Sequence, residues 1–167
     1  MEISHIGFGM QAIADIDPIL PHEAGHALAS LHYGATQCHL VADGKIIEVQ
    51  SEFDHPPEGM AALAILFSGC VAERMWAGEV APVTNCFDDP ATLLNTPLGE
   101  HDRELVQMIL QYSPPLDGAR EAALWNELLE VETILQRCLF AVDYQKLRHD
   151  LQRGRALVTG GSHAPLH

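Results

Sequence analysis

The apolar pattern of ILPHEAGHALASLHY has helical spacing, with Asp17 as a cap before it, Pro18 at the first helical position and Gly34 as a stop. Pro21 falls in the opening turn, where its missing N–H is tolerated. Thr36 to Val41 and Lys45 to Gln50 are β-prone runs separated by Ala42-Asp43-Gly44, which predicts a short hairpin. After Pro56-Pro57, Glu58 to Ala77 is apolar around most of its circumference and ends at Gly78, the pattern of a central buried helix. Residues 79 to 98 hold Pro82, Pro90 and Pro97 among Asp, Asn and Thr and read as an irregular loop. Helix resumes near Gly99, with Leu105, Val106, Ile109 and Leu110 at helical spacing, until Ser113-Pro114-Pro115 stops it. From Asp117 a helical stretch is expected to run to about Arg155, with a break near Cys138 to Val142. The elements together predict a mainly helical α+β fold with a small β-hairpin or sheet beside the first helix. A single domain is expected over residues 1–158, followed by a mobile tail over 159–167.

Charge narrows the classes. Twenty-three Asp and Glu against nine Lys and Arg leave a formal charge of -14, which repels phosphate backbones and anionic membrane surfaces, so neither nucleic acid nor membrane is expected as a partner. The longest apolar run, Met60 to Ala72, is interrupted by Ser68-Gly69 and is shorter than the roughly 20 residues of a membrane span. The N-terminus has no basic region followed by a long apolar stretch, so no secretory signal is expected. Cys38, Cys70, Cys86 and Cys138 form no C-x-x-C pair and read as free thiols, which points to a cytoplasmic protein. A homo-oligomer is compatible with everything above.

The chemistry is concentrated in His22-Glu23-Ala24-Gly25-His26, an H-E-x-x-H motif inside the first predicted helix. Residues four apart on a helix share a face, so both imidazoles can reach one metal ion, with Glu23 beside them. Neutral imidazole suits Zn²⁺, and two such ligands leave positions for a third protein group and for a water whose proton a carboxylate can take. With ten histidines in the chain, a chance match is a matter of a few per cent.

A third ligand is needed. His32 has metzincin spacing, but Ala29 stands where those enzymes have a glycine, and on a continuing helix His32 points about 120° away from His26. Glu73 is the thermolysin-like option from a second helix, and Asp88, Asp89 and Asp102 are aspartate options. Oxygen from any of them is chemically adequate.

The segments PHEAGHALASLHYGA, LFSGCVAERMWAGEV and GEHDRELVQMIL, taken with the hairpin between the first two, resemble the peptidase domain of the FtsH-type ATP-dependent zinc metalloproteases. The resemblance covers roughly residues 20 to 112, and HEAGHA is its specific part. It implies a zincin-like fold, His22 and His26 as zinc ligands, Glu23 as general base and Asp102 as third ligand, with Glu73 in a supporting place. Residues 79 to 101 form a longer connection than the family has, which keeps Asp88 and Asp89 open as alternatives for the ligand position. The chain shows no G-x-x-x-x-G-K-[ST] phosphate loop, so ATP binding by this chain is not expected. The expectation is an ATP-independent zinc metalloendopeptidase acting on peptides or unfolded protein. Its rivals are a catalytically silent zinc-binding module of the same fold and a helical interaction protein using the stretch after Asp117.

Overall fold

The computed structural model describes residues 17–44 and 46–160. The elements run α1 (Ile19–His32), β1 (Ala35–Asp43), β2 (Ile46–Phe53), α2 (Gly59–Trp76), a 3-10 turn (Pro90–Leu94), α3 (Glu100–Gln111), α4 (Gly118–Cys138), a 3-10 turn (Leu139–Ala141), α5 (Tyr144–Leu151) and β3 (Arg155–Val158). The fold is α+β and mainly helical, with one antiparallel three-stranded sheet in the order β2-β1-β3.

Helix α1 opens one residue later than its sequence predicts, with Pro18 in the cap position and Ile19 first in the helix. The Asp17 carboxylate accepts from the Ile19 N–H at 3.0 Å, the His22 N–H bonds the Pro18 carbonyl at 3.1 Å, and Gly34 leaves the helix at φ 102°. The hairpin extends further than expected, with Asp43 paired to Ile46 and Gly44 at φ 63° in the turn; Lys45 lies outside the described residues. Along the sheet, Cys38 and Leu40 of β1 face inward with Ala156 and Val158 of β3, their direct partners. These residues join the same core as Leu20, Ala24, Ala27 and Leu28 of α1.

Helix α2 is the axis of the molecule. It has the length and apolarity of a membrane span, and 56% of it is buried among the helices around it. Its crossing with α1 is close because Gly25 has no side chain: a Cβ there would lie 2.5 Å from the Ala72 Cβ and 2.6 Å from the Ser68 carbonyl oxygen. Helix α2 ends at Gly78, φ 112°, whose N–H bonds back to the Met75 carbonyl at 3.0 Å.

Three expectations are corrected. The helical stretch expected from Asp117 to Arg155 ends at Leu151, and Arg155–Val158 forms β3, because β1 presents an unpaired edge that a short apolar run can complete. Residues 79 to 98 are not simply irregular: Val83, Leu93 and Leu94 enter the core, and Pro90–Leu94 forms a 3-10 turn. This segment is tied down by buried Glu132, which accepts from the Val83 N–H at 2.5 Å and the Thr84 N–H at 3.2 Å, and by Arg74, which donates to the Thr92 and Leu93 carbonyls. Finally, the Leu105–Val106–Ile109 face of α3, which its apolar spacing leads one to expect on the motif helix, is not laid there. It rests on α2 and the 3-10 turn, with Val106 buried and Ile109 exposed. Of the tail expected over 159–167, residues 161–167 lie outside the described residues.

Candidate metal centre

His22 and His26 sit one turn apart on the face of α1 that meets α2, and Asp102 enters from the first turn of α3. The His22 Nε2, His26 Nε2 and one Asp102 oxygen lie within 4.8 Å of one another, the only such grouping of His, Cys, Asp and Glu donors found among the described residues. Asp102 Oδ2 is 2.9 Å from His22 Nε2 and 3.2 Å from His26 Nε2. Donors held about 2.0–2.1 Å from a tetrahedral zinc are about 3.3–3.4 Å apart, so these separations are close to those a small cation imposes.

The other ring nitrogens settle the protonation pattern. His22 Nδ1–H donates to Glu73 Oε1 at 3.0 Å, and His26 Nδ1–H donates to the Ile65 carbonyl at 2.8 Å. Carbonyl and carboxylate oxygens only accept, so both Nδ1 atoms carry hydrogen, and a neutral ring held in this way turns its Nε2 lone pair toward the Asp102 carboxylate. Three lone-pair donors facing one point require a cation between them, whether a shared proton or a metal. Ring orientation by a carboxylate and a carbonyl is the usual outer support of zinc-binding histidines. Glu73 is itself anchored, its Oε2 accepting from the Leu98 N–H at 3.2 Å.

Space for that cation comes from α2. A Cβ on Gly69 would lie 2.3 Å from His26 Nε2 and 2.7 Å from His22 Nε2, so only glycine fits. In sequence, Gly69 registers only as an interruption of an apolar run. Nothing in the sequence marks the Ile65 carbonyl.

Charge follows geometry. Burial resists ionisation of Asp102, yet hydrogen bonds and charge from His22 and His26 outweigh it and hold this carboxyl far below the usual carboxylate range. Burial likewise opposes protonation of His26, but its bond to Asp102 and the charges of Asp102 and Glu23 raise its pKa above the ordinary value. Burial pushes the Glu23 carboxyl up, partly offset by the His26 and His22 imidazoles. Cys70, fully buried behind the cluster, has its thiol pushed up to about 12 by desolvation; it stays protonated and lies 3.7 Å from Asp102 Oδ2.

Glu23, His26 and Asp102 open onto a cleft of about 480 Å³, whose opposite wall is built by β2 and Ile65 and Leu66 of α2. The remaining candidates lie elsewhere. His32 bonds Glu130 Oε2 at 3.1 Å. Asp88 and Asp89 are exposed, and Asp89 accepts from the Ala91 N–H at 3.0 Å, capping the 3-10 turn. Glu73 reaches the cluster only through His22 Nδ1. No protein-family model, curated protein or solved structure matches this chain.

Proposed function

We propose that this chain is an ATP-independent zinc metallopeptidase with a zincin-like fold, of the kind that its resemblance to the FtsH-type peptidase domain implies. The observation that carries this reading is the donor set: two imidazole nitrogens with fixed tautomers and one carboxylate oxygen converge on one point, on the side of a cleft that also holds Glu23. Three protein donors with an open fourth position are the pattern of catalytic zinc, whereas structural zinc is closed by four. Cys70 lies outside the grouping and leaves that position open.

Zinc held there would polarise the substrate carbonyl and bring the pKa of a water toward about 7. Glu23 takes the proton of the attacking water on a carboxylate oxygen and delivers it to the departing amide nitrogen. Its burial raises its basicity toward the range that this task needs. Among the described residues, strand β2 is an edge strand paired only with β1, and residues from Ile46 to Phe53 line the cleft, so an extended peptide can add to it as a further strand. A cleft of this kind takes flexible segments and not a folded domain.

Zinc analysis of the purified protein should find about one ion per chain, and none in the His22→Ala/His26→Ala double variant. Full occupancy in that variant would sink the assignment. Glu23→Gln should keep zinc and lose hydrolysis of denatured casein by several orders of magnitude, because the amide cannot accept the proton. A wild-type protein that binds zinc and cleaves nothing would instead be a silent zinc module.

A further inference from the structure

The cleft has carboxylate chemistry on one side, and beyond the zinc of the reading above no donor has yet been named for the opposite charge. Glu23, once ionised, can only accept hydrogen, so it cannot stabilise the negative charge that a peptide carbonyl oxygen gains during attack. Among the polar side chains lining the cleft, Glu48 is another carboxylate, Ser30 is buried, and Ser51 is engaged with the Cys38 thiol at 3.3 Å. Among the described residues, the one remaining side-chain donor is His101.

His101 stands next to Asp102 in the first turn of α3, and successive helical side chains diverge by about 100°. Asp102 is buried against the two histidines, while His101 is exposed and lines the cleft. It lines the same cleft as Glu23. The start of the twelve-residue helix α3 adds the positive end of its dipole at the same place.

We propose that His101 is a second catalytic side chain of this centre, an N–H donor to the substrate oxygen that becomes negative as its carbonyl carbon turns tetrahedral. This rests on the peptidase reading above. The water oxygen bonds to the carbonyl carbon and its proton passes to Glu23. That proton then goes to the amide nitrogen as the C–N bond breaks and the oxygen returns to a carbonyl. His101 keeps its own proton throughout and contributes one hydrogen bond that strengthens as charge develops.

The test uses the zinc-loaded full chain, comparing wild type with His101→Phe and with His101→Gln, which retains an N–H donor. Steady-state hydrolysis of a fluorogenic peptide, zinc content, and calorimetric binding of two probes are measured. One probe is a phosphinic peptide, which carries a charged tetrahedral oxygen, and the other is the matching reduced-amide peptide, which has none. His101→Phe should lower kcat by about 10²–10³-fold with KM little changed, the scale of one lost oxyanion donor. It should weaken phosphinic-peptide binding in step, bind the reduced-amide peptide like wild type and keep one zinc, while His101→Gln recovers part of both losses. Equal kcat and equal phosphinic-peptide affinity in His101→Phe overturn the proposal alone. Loss of zinc from His101→Phe also overturns it, making His101 a support for Asp102. No hydrolysis by zinc-loaded wild type overturns the peptidase reading and this proposal with it.

Discussion

Gly69 contributes only backbone, and the centre depends on that. Alanine is worth about 1 kcal/mol more than glycine inside a helix, so Gly69→Ala ought to favour α2 by propensity alone. The added methyl, however, would meet His26 Nε2 at 2.3 Å and His22 Nε2 at 2.7 Å, and two rings anchored through their Nδ1 atoms cannot both turn away. The variant should keep its far-ultraviolet circular dichroism and lose zinc affinity by at least about 10-fold, the scale on which misdirected ligands act. Titration against a chelating indicator measures it, and unchanged affinity would mean that the imidazoles have another resting position. His22, Glu23 and His26 were legible as a set because one helical turn places them whatever else the chain does. Gly69 and the Ile65 carbonyl were not, because their roles exist only where α2 crosses α1.

Among elements, α3 decides which acid completes the centre. Asp88, Asp89 and Asp102 are equivalent as chemistry, and the chain between Gly78 and Gly99 is long enough to have brought any of them to the histidines. What selects Asp102 is the folding of that segment: Glu132 holds its beginning, Arg74 and buried Leu93 and Leu94 hold its end, and Arg103 donates to the Leu94 carbonyl at 2.9 Å. Helix α3 is thereby fixed against α2, with its first turn beside His22 and His26. Asp102→Ala should release zinc to a mild chelator, while Asp88→Ala and Asp89→Ala retain it under the same dialysis. Retention by Asp102→Ala with loss from either of the others would show that α3 does not supply the ligand. The helical periodicity of α3 was readable in Leu105, Val106 and Leu110; its neighbour was not, since one apolar face fits any groove of suitable shape. Strand β3 was missed for a related reason: Arg155 to Val158 is too short to show a period, and only the open edge of β1 makes it a strand.

For the whole molecule, the centre couples folding to pH. In metal-free protein, His26 has a pKa raised above 6.5, so its contribution to stability is fully present below 6.5 and is lost as pH rises through the folded-state value. Asp102 has a pKa depressed below 3.8, so its contribution is present above 3.8 and is lost as pH falls through the folded-state value. A zinc ion bound at these donors would have to displace any proton shared by His26 and Asp102, so its stabilisation would grow with pH. The difference in Tm between zinc-loaded and metal-free protein should therefore widen from about pH 5.5 to about pH 8. Calorimetric scans with and without chelator check this, and a difference independent of pH would mean that no proton occupies the metal-free cluster. The sequence by itself determined the helical elements, the hairpin, the H-E-x-x-H face and the acidic charge, because periodicity, caps and turn residues act over a few neighbours along the chain. Only the tertiary structure decided the third donor, the glycine gap, the outer acceptors of the two imidazoles and the third strand. Each of these joins residues distant in sequence, and their meeting is a property of how α1, α2 and α3 cross.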